Sequence, residues 1–268
     1  MSSIVAADAG LTAPFAPISL EALNSKADML TRLDNKYIVT AAAMRQVVPL
    51  LAQQFDMLEI GGRRVFDYET CYFDTPDLRS YFDHHQGRRK RVKVRMRNYC
   101  GTDLCFVEVK LKDKRGVTVK KRLRQNPTLF GRLDEQALAY LHDTYRAHYD
   151  DAFDGDLVRV LDMRYRRMTL VAKSGGERVT IDSGLQFFAD GAALSVPRDR
   201  FIIETKSENG NGIADRILRQ MQHHPTKRVS KYCMGIALTE AGIRHNRFLP
   251  ALRRMGRLPQ AETDRKAA

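Results

Sequence analysis

The chain has 268 residues, 43% of them hydrophobic, and a formal net charge of +13, which suits one large domain or a closely fused pair. No apolar run approaches the ~20 residues that cross a bilayer as a helix. The four cysteines (Cys71, Cys100, Cys105, Cys233) form no CxxC pair, which fits free thiols in a reducing cytoplasm and argues against a disulfide scaffold.

Residues 1–18 lack the basic start and long apolar stretch of a signal peptide and read as a disordered lead-in. Alternation of apolar and polar residues then predicts eight strands, near 32–39, 64–74, 89–99, 103–112, 116–124, 157–172, 177–188 and 200–207. Helices are expected between them. One follows the cap Thr40 and runs to about Gln54, kinked at Pro49. A short one is capped by Thr75, with Pro76 in its first turn, and runs through Phe82. Others open at Asp134, at Asn211 or Gly212, and at Ser230. His84-His85 and His223-His224 fall near helix ends, where imidazole beside carbonyls is favourable without any metal. After Arg244 the chain reads as a short basic tail, with a helix interrupted at Pro250. The expected division is a lead-in over 1–18, one folded domain over 19–243 and a tail over 244–268.

Charge is concentrated in one place. Fifteen Lys and Arg residues against three acids lie between Arg88 and Arg124, so this window carries +12 of the formal charge. In Arg91-Val92-Lys93-Val94-Arg95-Met96-Arg97 every odd position is basic and every even one apolar. A strand sends alternate side chains to opposite faces, so the segment has one cationic face and one apolar face. The pattern returns at Glu108, Lys110 and Lys112, at Thr118, Lys120 and Arg122, at Arg178, Thr180 and Asp182, at Glu204 and Lys206, and at Arg32, Asp34 and Lys36. Any one such strand could be the solvated face of an ordinary sheet. Six of them argue for converging polar faces: an α+β fold, an antiparallel β-barrel with a polar basic lumen and helices packed outside.

Two like charges about 7 Å apart cost roughly 2 kcal/mol at an effective dielectric near 20, so such a lumen implies a polyanionic occupant. Arg suits phosphate because its planar fork binds two oxygens, and Lys adds a mobile point charge. Asp34, Glu108, Asp182 and Glu204 are either salt-bridge partners of these bases or carboxylates for Mg²⁺ or Mn²⁺, with Glu204 the strongest metal candidate. Nucleic acid is disfavoured as a partner, because the cationic faces hold no interleaved aromatics and the chain has no Trp.

The succession Arg32-x-Asp34-x-Lys36-Tyr37, Tyr72-Phe73-Asp74-Thr75, Arg95-x-Arg97-x-Tyr99, Glu108-x-Lys110, Val119-Lys120-x-Arg122, Tyr165-x-Arg167, Arg178-x-Thr180-x-Asp182, Glu204-x-Lys206 and Ser230-Lys231-Tyr232 resembles a VTC domain. That is the polyphosphate polymerase domain of the vacuolar transporter chaperone complex, here in a stand-alone bacterial form, within the triphosphate tunnel metalloenzymes. The resemblance implies an eight-stranded tunnel that binds ATP or another triphosphate and, with Mn²⁺ or Mg²⁺, polymerises the γ-phosphate into inorganic polyphosphate. It implies catalytic phosphate-gripping roles for Lys36, Arg95, Arg97, Lys110, Lys120, Arg167, Arg178 and Lys231. Substrate contacts would come from Tyr165, Arg228, Ser230, Glu108 and Lys206, and metal binding from Glu204. Arg32 stands where tunnel triphosphatases carry an acid, which favours the polymerase branch. A tunnel triphosphatase and a non-catalytic polyanion or nucleic-acid binder are the alternatives.

Overall fold

A computed structural model describes residues 10–26, 33–112, 118–189 and 191–259. Along the chain they form β1 (Ala16–Ile18), α1 (Leu20–Lys26), β2 (Leu33–Thr40), α2 (Ala41–Gln54), β3 (Phe55–Leu58), β4 (Phe66–Asp74), α3 (Arg79–Gln86), β5 (Arg91–Tyr99), β6 (Leu104–Lys112), β7 (Thr118–Gln125), α4 (Glu135–Tyr149), β8 (Val158–Ala172), β9 (Arg178–Ala189), β10 (Ala192–Ser195), β11 (Arg200–Ser207), α5 (Ile213–Gln220), α6 (Lys231–Thr239) and α7 (Leu249–Arg254). Arg32 lies outside the described residues.

The architecture is α+β. One sheet runs β2-β11-β9-β8-β4-β5-β6-β7, antiparallel at every step of this path, and its eight strands are those the alternation predicts. Three short strands escape the sequence pattern: β10 pairs with β9, and β3 joins β8 while pairing in parallel with β1. The expected closed barrel is corrected. Among the described residues no ladder joins β2 to β7, so the sheet is open. Each edge has its own protection. Thr226 donates its backbone N–H to the Lys36 carbonyl at 2.7 Å, placing a loop on the outer edge of β2, and β7 carries Lys120, Lys121, Arg122 and Arg124, charges that discourage edge pairing.

Two apolar clusters line the outer face. Tyr37, Val39, Met168, Leu170, Val179, Ile181, Phe201 and Ile203 pack under α2 and α5. Val92, Val94, Met96, Val107, Val109 and Leu111 pack under Ala137, Leu141 and Tyr145 of α4. These are the even positions of β5 and the odd positions of β6, which register brings onto one side.

The opposite face is not polar throughout, a second correction. Leu161, Met163, Leu185, Phe187 and Ile202 share it and are buried against Tyr232, Cys233, Met234, Ile236 and Ala237 of α6. A phase change in β9 makes this possible. The register with β8 shifts beside Ser183, and Gly184 takes a left-handed φ of +61°. The odd-numbered Leu185 and Phe187 therefore join the face of the even-numbered Thr180 and Asp182. Helix α6 lies against this apolar end because Gly235 lets it: a Cβ there would stand 2.4 Å from Leu161 and 2.8 Å from Phe187.

Buried carboxylates fix the helices. Asp74 accepts from the backbone N–H groups of Thr75, Ser80 and Tyr81 at 2.8–3.0 Å and from the Tyr232 hydroxyl. The cap of α3 is thus shared: Thr75 Oγ1 accepts from Arg79 N at 3.0 Å, and the helix starts at Arg79, later than the sequence suggests. Glu177 caps α5 from another element, accepting from Ile213 N and from Ala214 N at 3.1 Å. Thr40, Asp134 and Ser230 cap α2, α4 and α6 as predicted. Pro49 lies inside α2 without ending it. Pro250 sits in the first turn of α7, where its missing N–H breaks no helical bond. Phe248, Ala251, Leu252 and Met255 are buried in the cluster around α6, so the packed chain continues past residue 243. At the other end Leu11 and Phe15 are buried within the stretch read as lead-in.

Replacing Gly235 by Ala is expected to destabilise the fold by about 1–3 kcal/mol through overpacking. A chemical denaturation midpoint equal to that of the wild type would show that α6 is not seated on Leu161 and Phe187.

Candidate functional site

The cationic positions of the strands meet on the face that α6 only partly covers. Register sets Lys36 opposite Glu204, Glu204 opposite Thr180, Arg167 opposite Asp182, Arg95 opposite Glu108, and Lys110 opposite both Lys93 and Lys120. The sheet curls far enough that the charges of Lys36 and Glu204, at one edge, act on Lys110 of β6 near the other.

Three carboxylates organise the bases. Glu108 accepts from Arg95 Nε at 2.6 Å and Lys120 Nζ at 2.8 Å, with Arg97 at 3.8 Å. Asp182 accepts from Arg167 Nε and Nη2 at 2.6 and 2.8 Å and from Lys231 Nζ at 2.5 Å. Glu204 is held more loosely, with Lys36 at 3.4 Å and Lys206 at 3.8 Å. Seven cations thus share three carboxylates, an excess of four positive charges.

The three acids differ in how they could be used. Asp182 is wholly buried and Glu108 is 2% exposed, whereas the Glu204 side chain is 14% exposed. Burial opposes ionisation of each. For Asp182 the charges and hydrogen bonds of Arg167 and Lys231 outweigh it and bring the pKa down to about 2. Arg95, Arg97 and Lys120 hold Glu108 far below the carboxylate range. Lys36, Lys206, Lys231 and Arg167 do the same for Glu204.

A pair of tyrosines lies between the clusters. Tyr68 and Tyr165 stack at 5.2 Å, and Arg97, Arg167 and Lys231 lie over the Tyr165 ring at 5.9, 5.4 and 5.3 Å. The Tyr165 hydroxyl, Arg97 Nε and the Thr180 and Thr70 hydroxyls are buried without a hydrogen-bond partner among the described residues. Buried polar groups are normally satisfied, so these four are unspent hydrogen-bonding capacity on this face. The first turn of α6 adds the positive end of a helix dipole, placed by Ser230, whose Oγ accepts from Cys233 N at 3.3 Å.

The structure brings together Lys36, Arg95, Arg97, Lys110, Lys120, Tyr165, Arg167, Ser230, Lys231, Glu108, Lys206 and Glu204 of the residues singled out from sequence. Arg178 stands at the same end of the face, opposite Lys206. Arg228 adjoins this set at Lys36. It is exposed on the loop over the β2 edge, in a left-handed conformation (φ +61°), and lines a cavity of about 240 Å³ with Asp34, Lys36 and Lys227. Sequence reasoning passed over Lys93, His84, Tyr68 and Thr70. Lys93 had a signal, its place in the alternation. Its Nζ lies 2.5 Å from His84 Nδ1, 2.9 Å from Ser230 Oγ and 3.6 Å from Cys233 Sγ. His85, by contrast, is structural, with Nε2 2.8 Å from Asn246 Oδ1.

For a divalent metal, the donor set fits an ion shared with phosphate oxygens. Among the described residues no three acidic, histidine or cysteine side chains gather into a centre built wholly by protein. Glu204 is the carboxylate with reach and without short hydrogen bonds, and Mg²⁺ commonly takes one or two carboxylates plus substrate phosphates.

The sequence profile of the VTC domain matches residues 31–240, and the chain belongs to the VTC domain family. A search of the curated proteins finds no match. Among solved structures, a candidate adenylyl cyclase from Hippeastrum, described as having a dominant triphosphatase activity, superposes with a TM-score of 0.48 at 13% identity, covering 87% of this chain and 99% of that one. A candidate adenylate cyclase from Bacillus halodurans gives 0.44 at 11% identity, covering 75% and 95%. A protein from Pyrococcus horikoshii OT3 gives 0.43 at 14%, again covering 75% and 95%. These likenesses carry nothing further; the family assignment rests on the match over 31–240.

Acid should weaken the ligand-free fold through Asp182. Its pKa is lowered on folding, so its contribution is complete above the ordinary carboxylate value and is lost as pH falls from about 4 through about 2. The loss should be roughly 2 kcal/mol. Denaturant titrations at several pH values should show a loss of stability between about pH 4 and 2 that is smaller by this amount in Asp182→Asn, where Glu108 and Glu204 still contribute, and Asp182→Asn starts less stable at neutral pH.

Proposed function

We propose that this member of the VTC domain family binds a nucleoside triphosphate through its phosphates, on the cationic face of the curled sheet, and transfers the terminal phosphoryl group to a growing phosphate chain. The observation that carries this reading is the convergence of seven cations on three carboxylates beside four buried, unsatisfied polar groups. Such a surface is complementary to a guest of high negative charge density.

Arg95 and Arg97 sit one strand repeat apart, about 6.5–7 Å, and can hold successive phosphates of one chain. Their guanidinium groups are already oriented by Glu108, and those of the facing cluster by Asp182, so little reorganisation accompanies binding. Preoriented charge of this kind stabilises the equatorial oxygens of a phosphoryl group in flight. Glu204 would hold Mg²⁺ or Mn²⁺, which, when bound, would neutralise charge on the phosphate oxygens. The Tyr165 hydroxyl and the first turn of α6 supply further donors. No helix among the described residues is long and apolar enough to cross a membrane.

Incubation of the purified protein with ATP and Mn²⁺ is expected to give long-chain polyphosphate. Release of free phosphate alone would assign the protein as a triphosphatase. Glu204→Gln should abolish turnover while metal-free triphosphate affinity is kept or improved, because a negative charge has left an anion site. Weakened binding with turnover largely spared would make Glu204 a salt-bridge partner only.

Proton linkage offers a further check. Surrounding protein first, then the charges of Lys36 and Arg95, draw the Lys110 pKa down to about 8, although water still reaches the side chain. A bound phosphate favours the ammonium form, so above about pH 8 binding must take up a proton. Triphosphate affinity should therefore fall as pH rises through 8. Lys110→Arg, charged throughout, should bind with a flatter pH dependence, and identical slopes in the two proteins would remove Lys110 from the site.

A further inference from the structure

The aromatic residue of the Arg95-x-Arg97-x-Tyr99 motif takes no part in the grip on phosphate described above. Tyr99 ends β5 on the same face as Arg97, one strand repeat farther along, about 6.5–7 Å. On the neighbouring strands it meets two more rings. The Tyr68 centroid lies 4.9 Å away, and Phe106 stands edge to face with Tyr99 at 5.9 Å. Register sets Phe106 directly opposite Arg97. The exposed Arg122 of β7 lays its guanidinium over the Phe106 ring at 4.9 Å. Sequence alternation passes over this row, because its members lie on different strands and follow the basic run without interrupting it.

The rings divide by access. Tyr68 and Tyr165 are buried and lie beneath the guanidinium groups of Arg97 and Arg167. Tyr99 and Phe106 are only half-buried. Aromatic surface left open beside an arginine cluster neutralises no charge and grips no phosphate. It offers π-faces, and flat heterocycles stack on aromatic rings and on guanidinium planes alike. The step from Arg97 to Tyr99 has the scale of the ribose that separates a nucleobase from its α-phosphate.

We propose that Tyr99, Phe106 and the guanidinium of Arg122 form a stacking subsite for the nucleobase of a nucleoside triphosphate whose α-phosphate lies at Arg97. This subsite rests on the functional reading above and gives it a source of selectivity for a nucleotide over bare phosphate. It also sets the polarity of the bound nucleotide. The base lies at the end of β5, and the terminal phosphate is directed away from it, into the cationic face. Stacking reads ring area, so purine nucleotides are held better than pyrimidine ones.

The test is calorimetric titration of the full chain with ATP and with methyl triphosphate, which carries the same three phosphates and no base, without metal and at fixed ionic strength. The quantity read is the ratio of the two affinities. The wild type should prefer ATP about tenfold. Phe106→Ala should bring the ratio close to one while methyl triphosphate binds as before, and Phe106→Tyr, which keeps the ring, should retain the preference. Phe188→Ala removes a ring that packs under Arg164 at 5.5 Å on the other side of the sheet, and should leave the ratio as in the wild type. Equal wild-type affinities overturn the subsite, and so does a preference that survives Phe106→Ala. If that variant fails to fold, Tyr99→Leu decides in the same way. An equal drop in Phe188→Ala also overturns it, since the effect would then not be local. Failure of the wild type to bind either triphosphate would sink the functional reading itself, a result distinct from these.

Discussion

Repulsion between like charges on one face of a sheet is the constraint that everything else in this molecule answers to. Two such charges a strand repeat apart cost roughly 2 kcal/mol at an effective dielectric near 20, and this face carries at least seven. The fold tolerates them because Glu108 and Asp182 are buried among them, each taking two or three donors. Removing one such carboxylate would leave several cations uncompensated in a poorly solvated place, a costlier change than losing an exposed ion pair. Glu108 and Asp182 therefore belong to the scaffold of the site, and by fixing guanidinium orientation they also prepare it.

Glu204 answers the same constraint differently. It lies among cations but makes only long ion pairs, and water reaches it. Held ionised by the surrounding cations and without close hydrogen bonds, its oxygens are available as ligands. The three acids on this face thus separate into two that orient bases and one suited to a metal. Geometry makes that separation, since each of the three lies on a strand that also carries a base on the same face: Lys110, Arg178 and Lys206.

Helix α6 couples the site to the rest of the core. Its first residue, Lys231, reaches Asp182; its cap, Ser230, receives Lys93; and Tyr232 reaches Asp74, which caps α3. The apolar remainder of α6 fills one end of the sheet face and is backed by Phe248, Leu252 and Met255 near the C-terminus. Sheet face, helix start and C-terminal segment therefore stand or shift together, and the pitch of α6 is set by contact at Gly235 instead of by a surface loop.

The eight long strands, the cationic face of β5 and the caps at Thr40, Asp134 and Ser230 were legible in the sequence, because each depends on residues a few positions apart. Period-two alternation and a hydroxyl or carboxylate before a helical stripe are local signals. So was the family, carried by short motifs in a fixed order. The open seam between β2 and β7, the shared cap at Asp74, the remote cap at Glu177 and the apolar end under α6 were decided by the tertiary structure. Each depends on which segments meet: Thr226 with Lys36, Tyr232 with Asp74, Gly235 with Leu161 and Phe187. The phase change at Gly184 shows the limit most clearly, since one left-handed residue moves Leu185 and Phe187 to the face that simple alternation denies them. Charge identity is written in the sequence, but whether a charge meets a carboxylate, another cation or a neutral imidazole is settled by the strands and helices that curl around it.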